Sequence, residues 1–310
     1  MIGVFGASGF IGRNIVARLI SDSISFRAIS RHRPSMIEGY PTAALDYLEA
    51  DFEDSLAMES ALVGIDTVIQ LISTSSPGFG NRQIVADVEH NAIPHIKFMH
   101  TCAEIGVKRY IFVSSGGTVY GPPKSIPISE SHPTNPISSH GLTKLTTEKY
   151  LQMFSYQSSM DYVILRLANV FGPGQVFQKG QGLIPAVLDR YERGEPIDII
   201  GSGEARRDYV YIGDFVSACM AAATVPGPIR EVINIGSGES RSILQVLDAM
   251  ESILKTRFER SHRQGRHTDV DVNQLDIRRA KDVLGWHPEI SFEVGLERML
   301  SECAVRTMKA

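Results

Sequence analysis

The sequence predicts an α/β fold in which a doubly wound parallel sheet carries helices on both faces and a smaller mixed α/β region follows it. Two patterns support this reading. Strand-like apolar segments at Ile2 to Phe5, Phe26 to Ile29, Leu45 to Leu48, Thr67 to Ile72, Tyr110 to Ser114 and Tyr162 to Leu167 alternate with helical patterns at Ala57 to Val63, Val85 to Ile105 and Thr143 to Tyr156. Such alternation builds parallel βαβ units. From Phe171-Gly-Pro-Gly174 onward short segments mix, separated by loops carrying Gly180, Gly182, Gly201 and Gly203. The expected division is 1–169 for the sheet and 170–310 for the smaller region, with segments near 208–236 returning to the sheet.

The first strand runs into Gly6, Gly9 and Gly12. Gly6 permits a tight turn, Gly9 lets backbone N–H groups approach a pyrophosphate, and Gly12 lets the following helix pack closely on the strand. Ile11, Ile15, Val16 and Leu19 recur at helical spacing with Arg13, Asn14 and Arg18 between them. This combination fits a Rossmann-type dinucleotide site, with a merely structural glycine turn as the plain alternative.

The composition excludes several classes. A net charge of −4 without a long basic run gives no field for nucleic acid. Cys102, Cys219 and Cys303 are odd in number and lack metal-ligand spacing, so core packing and no metal are expected. Ile2 already opens the first strand and no apolar run approaches a membrane span. A cytoplasmic chain without a membrane span is the expectation.

At the second strand end, Ala28-Ile-Ser-Arg-His-Arg33 lacks the carboxylate that would hold the ribose hydroxyls of NAD. Ser30, Arg31 and Arg33 suit a 2′-phosphate instead, which tips the expectation from NAD toward NADP. A solvated basic loop is the plain alternative. Asp51 and Phe52 suit adenine, as a carboxylate for the exocyclic amine and an apolar face for the ring; Asp51 serves equally well as a helix N-cap.

The fifth strand ends in Ser114-Ser-Gly-Gly-Thr-Val-Tyr-Gly121, and His140-Gly-Leu-Thr-Lys144 opens a later helix. With Asn91, Arg166-Leu-Ala-Asn-Val-Phe-Gly-Pro173, Arg207-Asp-Tyr-Val-Tyr-Ile-Gly-Asp214, Asn234-Ile-Gly236, Arg266-x-x-Asp-Val270 and Leu284-Gly-Trp-His-Pro288, nearly the whole chain resembles an extended short-chain dehydrogenase/reductase of the nucleotide-sugar epimerase and dehydratase family.

The resemblance implies that a Tyr-x-x-x-Lys pair moves the proton of a sugar hydroxyl while hydride passes to the nicotinamide, with a nearby Ser or Thr holding that hydroxyl. Lys144 matches the family lysine, one helical turn from position 140. His140 stands in place of the tyrosine and Gly116 in place of the hydroxyl residue, with Thr118 available to compensate. Tyr120-x-x-x-Lys124 repeats the spacing, but Pro122 and Pro123 exclude a helix there. His140 leaves three readings: an imidazole general base, an introduced Tyr→His change that disables catalysis, or a natural variant that binds a nucleotide sugar with slow chemistry or none.

The resemblance further implies cofactor contacts from Ser8, Phe10 and Ile11 in the glycine loop, from Leu71 after the fourth strand, and from Asn91, Ser114 and Lys144. It places Asn169, Arg207 and Arg266 on the sugar-nucleotide diphosphate and Gln181 and Leu183 at its base. The plain alternatives are that Arg207 pairs with Asp208 or Asp214, that Arg266 is a solvated loop residue and that Asn91 caps a helix. The helix toward Ile105 and the one after His140 resemble the pair that builds a four-helix homodimer interface in relatives, and Val85, Val88, Ile96 and Met99 with Leu145, Tyr150 and Phe154 are apolar enough for it, although core packing explains them equally well.

Relatives that dehydrate their substrate carry an acidic pair after the strand-end serines; Gly116-Gly117-Thr118 offers no carboxylate. The expected activity is 4-epimerisation of a UDP-hexose or UDP-N-acetylhexosamine, a step in polysaccharide biosynthesis. The alternatives are an NADP-dependent keto-sugar-nucleotide reductase and a catalytically impaired nucleotide-sugar binder.

Overall fold

A computed structural model describes residues 1–74, 81, 83–177, 182–264 and 270–307. A seven-stranded parallel sheet runs in the order Arg230–Ile235, Asp161–Leu167, Arg109–Ser115, Thr67–Gln70, Ile2–Phe5, Phe26–Ser30 and Tyr47–Glu49. The order reverses between Ile2–Phe5 and Thr67–Gln70, which pair directly. At such a reversal the loops leaving the two strand ends diverge and open a crevice for ligand. Gly6 and Leu71, which follow those strands, stand at its mouth.

Strand side chains alternate between two cores because successive residues face opposite sides. Val4, Ile111 and Val163 join Ile15, Leu19 and Phe215 on one side; Phe5, Phe112 and Ile164 join Phe98, Leu151 and Phe154 on the other. Cys102 and Cys219 are buried and free, as core residues; Cys303 lies outside the described side chains. A third core of Phe171, Ile199, Tyr209, Leu247 and Leu296 holds the C-terminal region together.

Several bounds differ from the sequence expectation. The fourth strand stops at Gln70, whose side-chain oxygen takes up the Ile72 N–H at 2.9 Å and turns the chain. Asp54, and not Asp51, caps the Ser55–Ala61 helix, accepting from the Leu56 and Ala57 N–H groups. The pattern at Val85 to Ile105 resolves into an α-helical turn Ile84–Asp87, a π-helical turn Val88–Ala92 and the helix Ile93–Ile105. The next helix begins at Ser139, so His140 lies in its first turn. Of the stretch near 208–236, Arg230–Ile235 pairs with Asp161–Leu167 in the main sheet. Arg206–Tyr211 instead joins Asn169–Phe171 and Ser240–Ser242 in a separate three-stranded sheet.

Candidate active site

The glycine loop has the shape its spacing predicts. Gly6 takes a φ of +92°, open to glycine at little cost. A Cβ on Gly12 would lie 2.2 Å from the Gly6 carbonyl oxygen, so the helix Phe10–Ser21 touches the turn backbone. That helix starts at Gly9 with no side-chain cap and no acidic residue in its first turn. Its N-terminal N–H groups are therefore presented to an anion, with the helix dipole behind them. The cradle fits a dinucleotide pyrophosphate. Ser8 is exposed, while Phe10 and Ile11 are partly buried against the core.

Tyr47, a residue not singled out from sequence, organises the second strand end, where adenosine is expected. Its hydroxyl bonds Ser30 and the His32 carbonyl and lies against Ser8, linking the glycine loop to the second strand end. Arg33 donates to the Tyr47 carbonyl at 2.6 Å and stacks 5.0 Å over its ring. Arg31 is exposed and has no ion pair among the described residues. The two arginines expected to act together thus differ in availability. Asp51 is exposed and accepts the Glu53 N–H at 3.0 Å. Phe52 is buried edge-to-face on His95 and Phe98, so its ring belongs to the core.

His140 and Lys144, the expected proton-transfer pair, both lie on the first two turns of Ser139–Gln157. His140 is 7% exposed. Burial and the Lys144 ammonium push its imidazole down to about 4, with Asp87 pulling the other way. The Lys144 Nζ donates to the Val113 carbonyl at 3.0 Å and sits 4.9 Å over the Phe112 ring. Burial lowers this ammonium to about 8 against the pull of Glu148 and Asp87. The Thr118 Oγ1 is buried without a partner among the described residues, and a Cβ on Gly141 would stand 2.6 Å from the Thr118 carbonyl. Loop and helix start therefore abut. A Cβ on Gly116 would meet Leu275 at 2.6 Å and the Arg166 carbonyl at 2.9 Å, which explains why no hydroxyl residue occupies that position.

Asn91 does not cap a helix. Its Oδ1 accepts the Thr74 N–H and its Nδ2 donates to Asp87 Oδ1, each at 2.9 Å, tying the loop after the fourth strand to the helix behind Lys144. Leu71 hydrogen-bonds through its N–H to the Phe5 carbonyl at 3.0 Å beside Gly6. The Ser114 hydroxyl is buried and donates to Glu148 at 2.5 Å. Glu148 also pairs with Arg166 at 2.7 Å, the two side chains being 0% and 4% exposed. Ser114 is thereby committed to a buried ionic network.

At the substrate end, Asn169 is exposed on a strand whose partner is Tyr209–Tyr211. Arg207 does not pair with Asp208 or Asp214. Its guanidinium donates to the carbonyls of Arg206 at 2.9 Å and Val270 at 2.7 Å. Asp208 instead accepts from the backbone of Ser237, Gly238 and Leu275, and burial raises it to about 6. Leu183 opens the helix Leu183–Glu192. Gln181 and Arg266 lie outside the described residues. A further link absent from the sequence reading is Arg13, which bonds the Gly174 carbonyl and pairs with Glu38 at 3.1 Å. Asp87 was also missed, although its place one helical turn before Asn91 was a readable signal.

Comparison with known proteins places these features in context. The family model described as the NAD dependent epimerase/dehydratase family matches residues 2–236. A dTDP-4-dehydro-6-deoxyglucose reductase from Escherichia coli is 33% identical, over 96% of this chain and 95% of the relative. A UDP-glucose 4-epimerase from Thermotoga maritima, solved with UDP-glucose, superposes with a TM-score of 0.92 at 32% identity, covering 99% of each chain. A UDP-glucuronic acid 4-epimerase from Bacillus cereus, solved with UDP-glucuronic acid and NAD, superposes with a TM-score of 0.88 at 25% identity over 98% of this chain and 99% of the other.

Proposed function

The chain belongs to the NAD dependent epimerase/dehydratase family, and from that premise we propose that it is a nucleotide-sugar 4-epimerase acting on a UDP-hexose or UDP-N-acetylhexosamine. The observation that carries this reading is the Thr118 loop abutting the start of the helix that buries His140 and Lys144, with the Thr118 Oγ1 itself buried, in a chain whose glycine cradle fits a dinucleotide. The nicotinamide supplies a reversible acceptor for the C4 hydride. His140, neutral above about pH 4, accepts the C4 hydroxyl proton and returns it after the keto sugar turns its other face. Thr118 Oγ1, with its hydrogen-bonding capacity unspent, holds the sugar hydroxyl. Lys144 holds the nicotinamide ribose.

Residues 1–169 with the returning strand bind the cofactor, and 170–310 the sugar nucleotide, with Asn169 and Arg207 at its diphosphate. Exposed Arg31 favours NADP as an acceptable cofactor beside NAD. Of the residues expected at a dimer face, Met99 and Phe154 lie in the core, while Val85, Val88 and Tyr150 are exposed, joined by Ile84, Leu142 and Met153 on the same helices; this exposed set supports a homodimer through that face. Among the described residues no helix is long and apolar enough to cross a membrane.

A second reading, an NADP-dependent reductase of a keto-sugar nucleotide, is favoured by the Escherichia coli reductase relative and by Arg31. Incubating the purified chain with UDP-glucose or UDP-N-acetylglucosamine without added cofactor separates the two. Appearance of the C4 epimer supports the epimerase. Failure to form it, with a keto-sugar nucleotide oxidising NADPH, selects the reductase.

A further inference from the structure

Histidine at position 140 inverts the electrostatic requirement of the site. A tyrosine base works as an anion, which a neighbouring ammonium supports. An imidazole base becomes a cation on taking its proton, and the same ammonium opposes it. Lys144 is buried beside His140 and lowers its proton affinity, so an imidazole base here needs a compensating negative charge.

Asp87, at the end of the helical turn Ile84–Asp87, meets that need. It is 4% exposed. Its Oδ1 accepts from Asn91 Nδ2 at 2.9 Å and its Oδ2 from Ser139 Oγ at 2.6 Å, the residue next to His140. Both donors are neutral, so the bonds orient the carboxylate without cancelling its charge. Among the described residues, the other charged groups acting on this cluster are Lys144 and Glu148 on the His140 helix, and Glu148 is held by Arg166. His95, which also feels Lys144, is buried neutral and donates no charge to the balance.

We propose that Asp87 is the counter-charge that allows an imidazole to serve as proton acceptor at position 140, and that it also sets the entry of the His140 helix through Ser139. This role rests on His140 being the base. Asp87 is a positioning residue: it acts on the reaction through His140, stabilising the imidazolium formed when the C4 hydroxyl gives up its proton.

The test is an Asp87→Asn substitution, which keeps the shape and removes the charge, its amide oxygen still able to accept from Asn91 and its NH2 able to donate to the Ser139 hydroxyl, made in the native chain and in a His140→Tyr background. In the native chain turnover should fall about tenfold or more, as expected for losing a charge close to a developing cation. Beside tyrosine the same substitution should raise turnover about twofold or more, because the carboxylate then opposes a tyrosinate. Equal losses in both backgrounds would mean a purely structural clasp and would overturn the proposal.

A readout independent of turnover is the ring-proton titration of His140, identified as the resonance missing from the His140→Tyr spectrum. Asp87→Asn should move its midpoint down by about one pH unit; an unmoved midpoint refutes the counter-charge. If neither the native chain nor the His140→Tyr variant turns over any sugar nucleotide, the base reading fails, and the titration still decides whether Asp87 supports the imidazolium.

Discussion

Lys144 acts on His140 from one helical turn away on the same buried helix face, and burial together with its ammonium holds the imidazole down to about 4. If His140 is the base, its working form persists far into acid. The acid limb of kcat/KM should then lie well below pH 6.5 in the native chain, and Lys144→Met should move it upward by about one unit while lowering the maximum rate. A native limb near pH 6.5 would contradict the buried, lysine-opposed imidazole.

The same depression makes His140 a source of acid instability. Unfolding frees an imidazole that binds its proton near 6.5, whereas the folded site resists protonation until about 4. The unfolded state therefore binds more protons between these values, and stability falls as pH drops through that window. Asp208 has the opposite sign: raised from 3.8 to about 6, it holds its proton more tightly when folded and loses stability as pH rises through its window. His140→Gln isolates the first effect. From pH 7.5 to 5 the native chain should lose about 2 kcal/mol more than the variant, measured by urea unfolding. Parallel losses would mean that position 140 is not titrating as described.

Gly12 and Gly9 should respond differently to alanine. The Cβ at Gly12 would collide with backbone at 2.2 Å, while at Gly9 the nearest atom, the Gly6 carbonyl oxygen, is 3.3 Å away. Gly12→Ala should cost about 1 to 3 kcal/mol of stability and abolish retention of nicotinamide cofactor, as overpacked sites do. Gly9→Ala should fold normally and weaken cofactor retention only. Thermal denaturation with an absorbance scan of the purified proteins reads both, and equal behaviour would refute the close helix–turn packing.

What the sequence made legible follows from local physics. The alternation of strand and helix patterns and the glycine spacing require only side-chain periodicity and backbone freedom, so the sheet and the cradle were readable. The roles of Arg33 and Ser114 were not, because each is decided by a residue distant in sequence. Tyr47 engages Arg33 from the neighbouring strand, and Glu148 engages Ser114 from the helix packed on its strand. Gly116 likewise looks like a lost hydroxyl until Leu275 and the Arg166 carbonyl are seen to fill its space.

That division of labour at the second strand end predicts a split between the arginines. Arg31→Ala should weaken NADP binding by about 1 to 3 kcal/mol, the worth of a charged hydrogen bond, and leave NAD affinity nearly unchanged. Arg33→Ala should weaken both cofactors alike, since its bonds hold Tyr47 and through it Ser8 and Ser30. Calorimetric titration with each cofactor measures the contrast. Equal losses of NAD and NADP in Arg31→Ala would sink the 2′-phosphate assignment.

Glu148 offers the sharpest test of the buried network behind the site. Its carboxylate accepts from Ser114 and pairs with Arg166, whose guanidinium also stacks 4.8 Å over Tyr120. Glu148→Gln keeps the shape but leaves Arg166 charged in a buried site, since the guanidinium cannot shed its proton. Breaking one side of such a pair costs about 3 to 5 kcal/mol. Replacing both partners by apolar residues, as in Glu148→Leu with Arg166→Met, removes the stranded charge and should recover much of that loss in urea unfolding. Because Glu148 also supports the Lys144 ammonium, the double variant should fold yet show a Lys144 amine that deprotonates at lower pH. A double variant as unstable as Glu148→Gln would show that the network matters for its hydrogen bonds and packing, and not for the balance of buried charge.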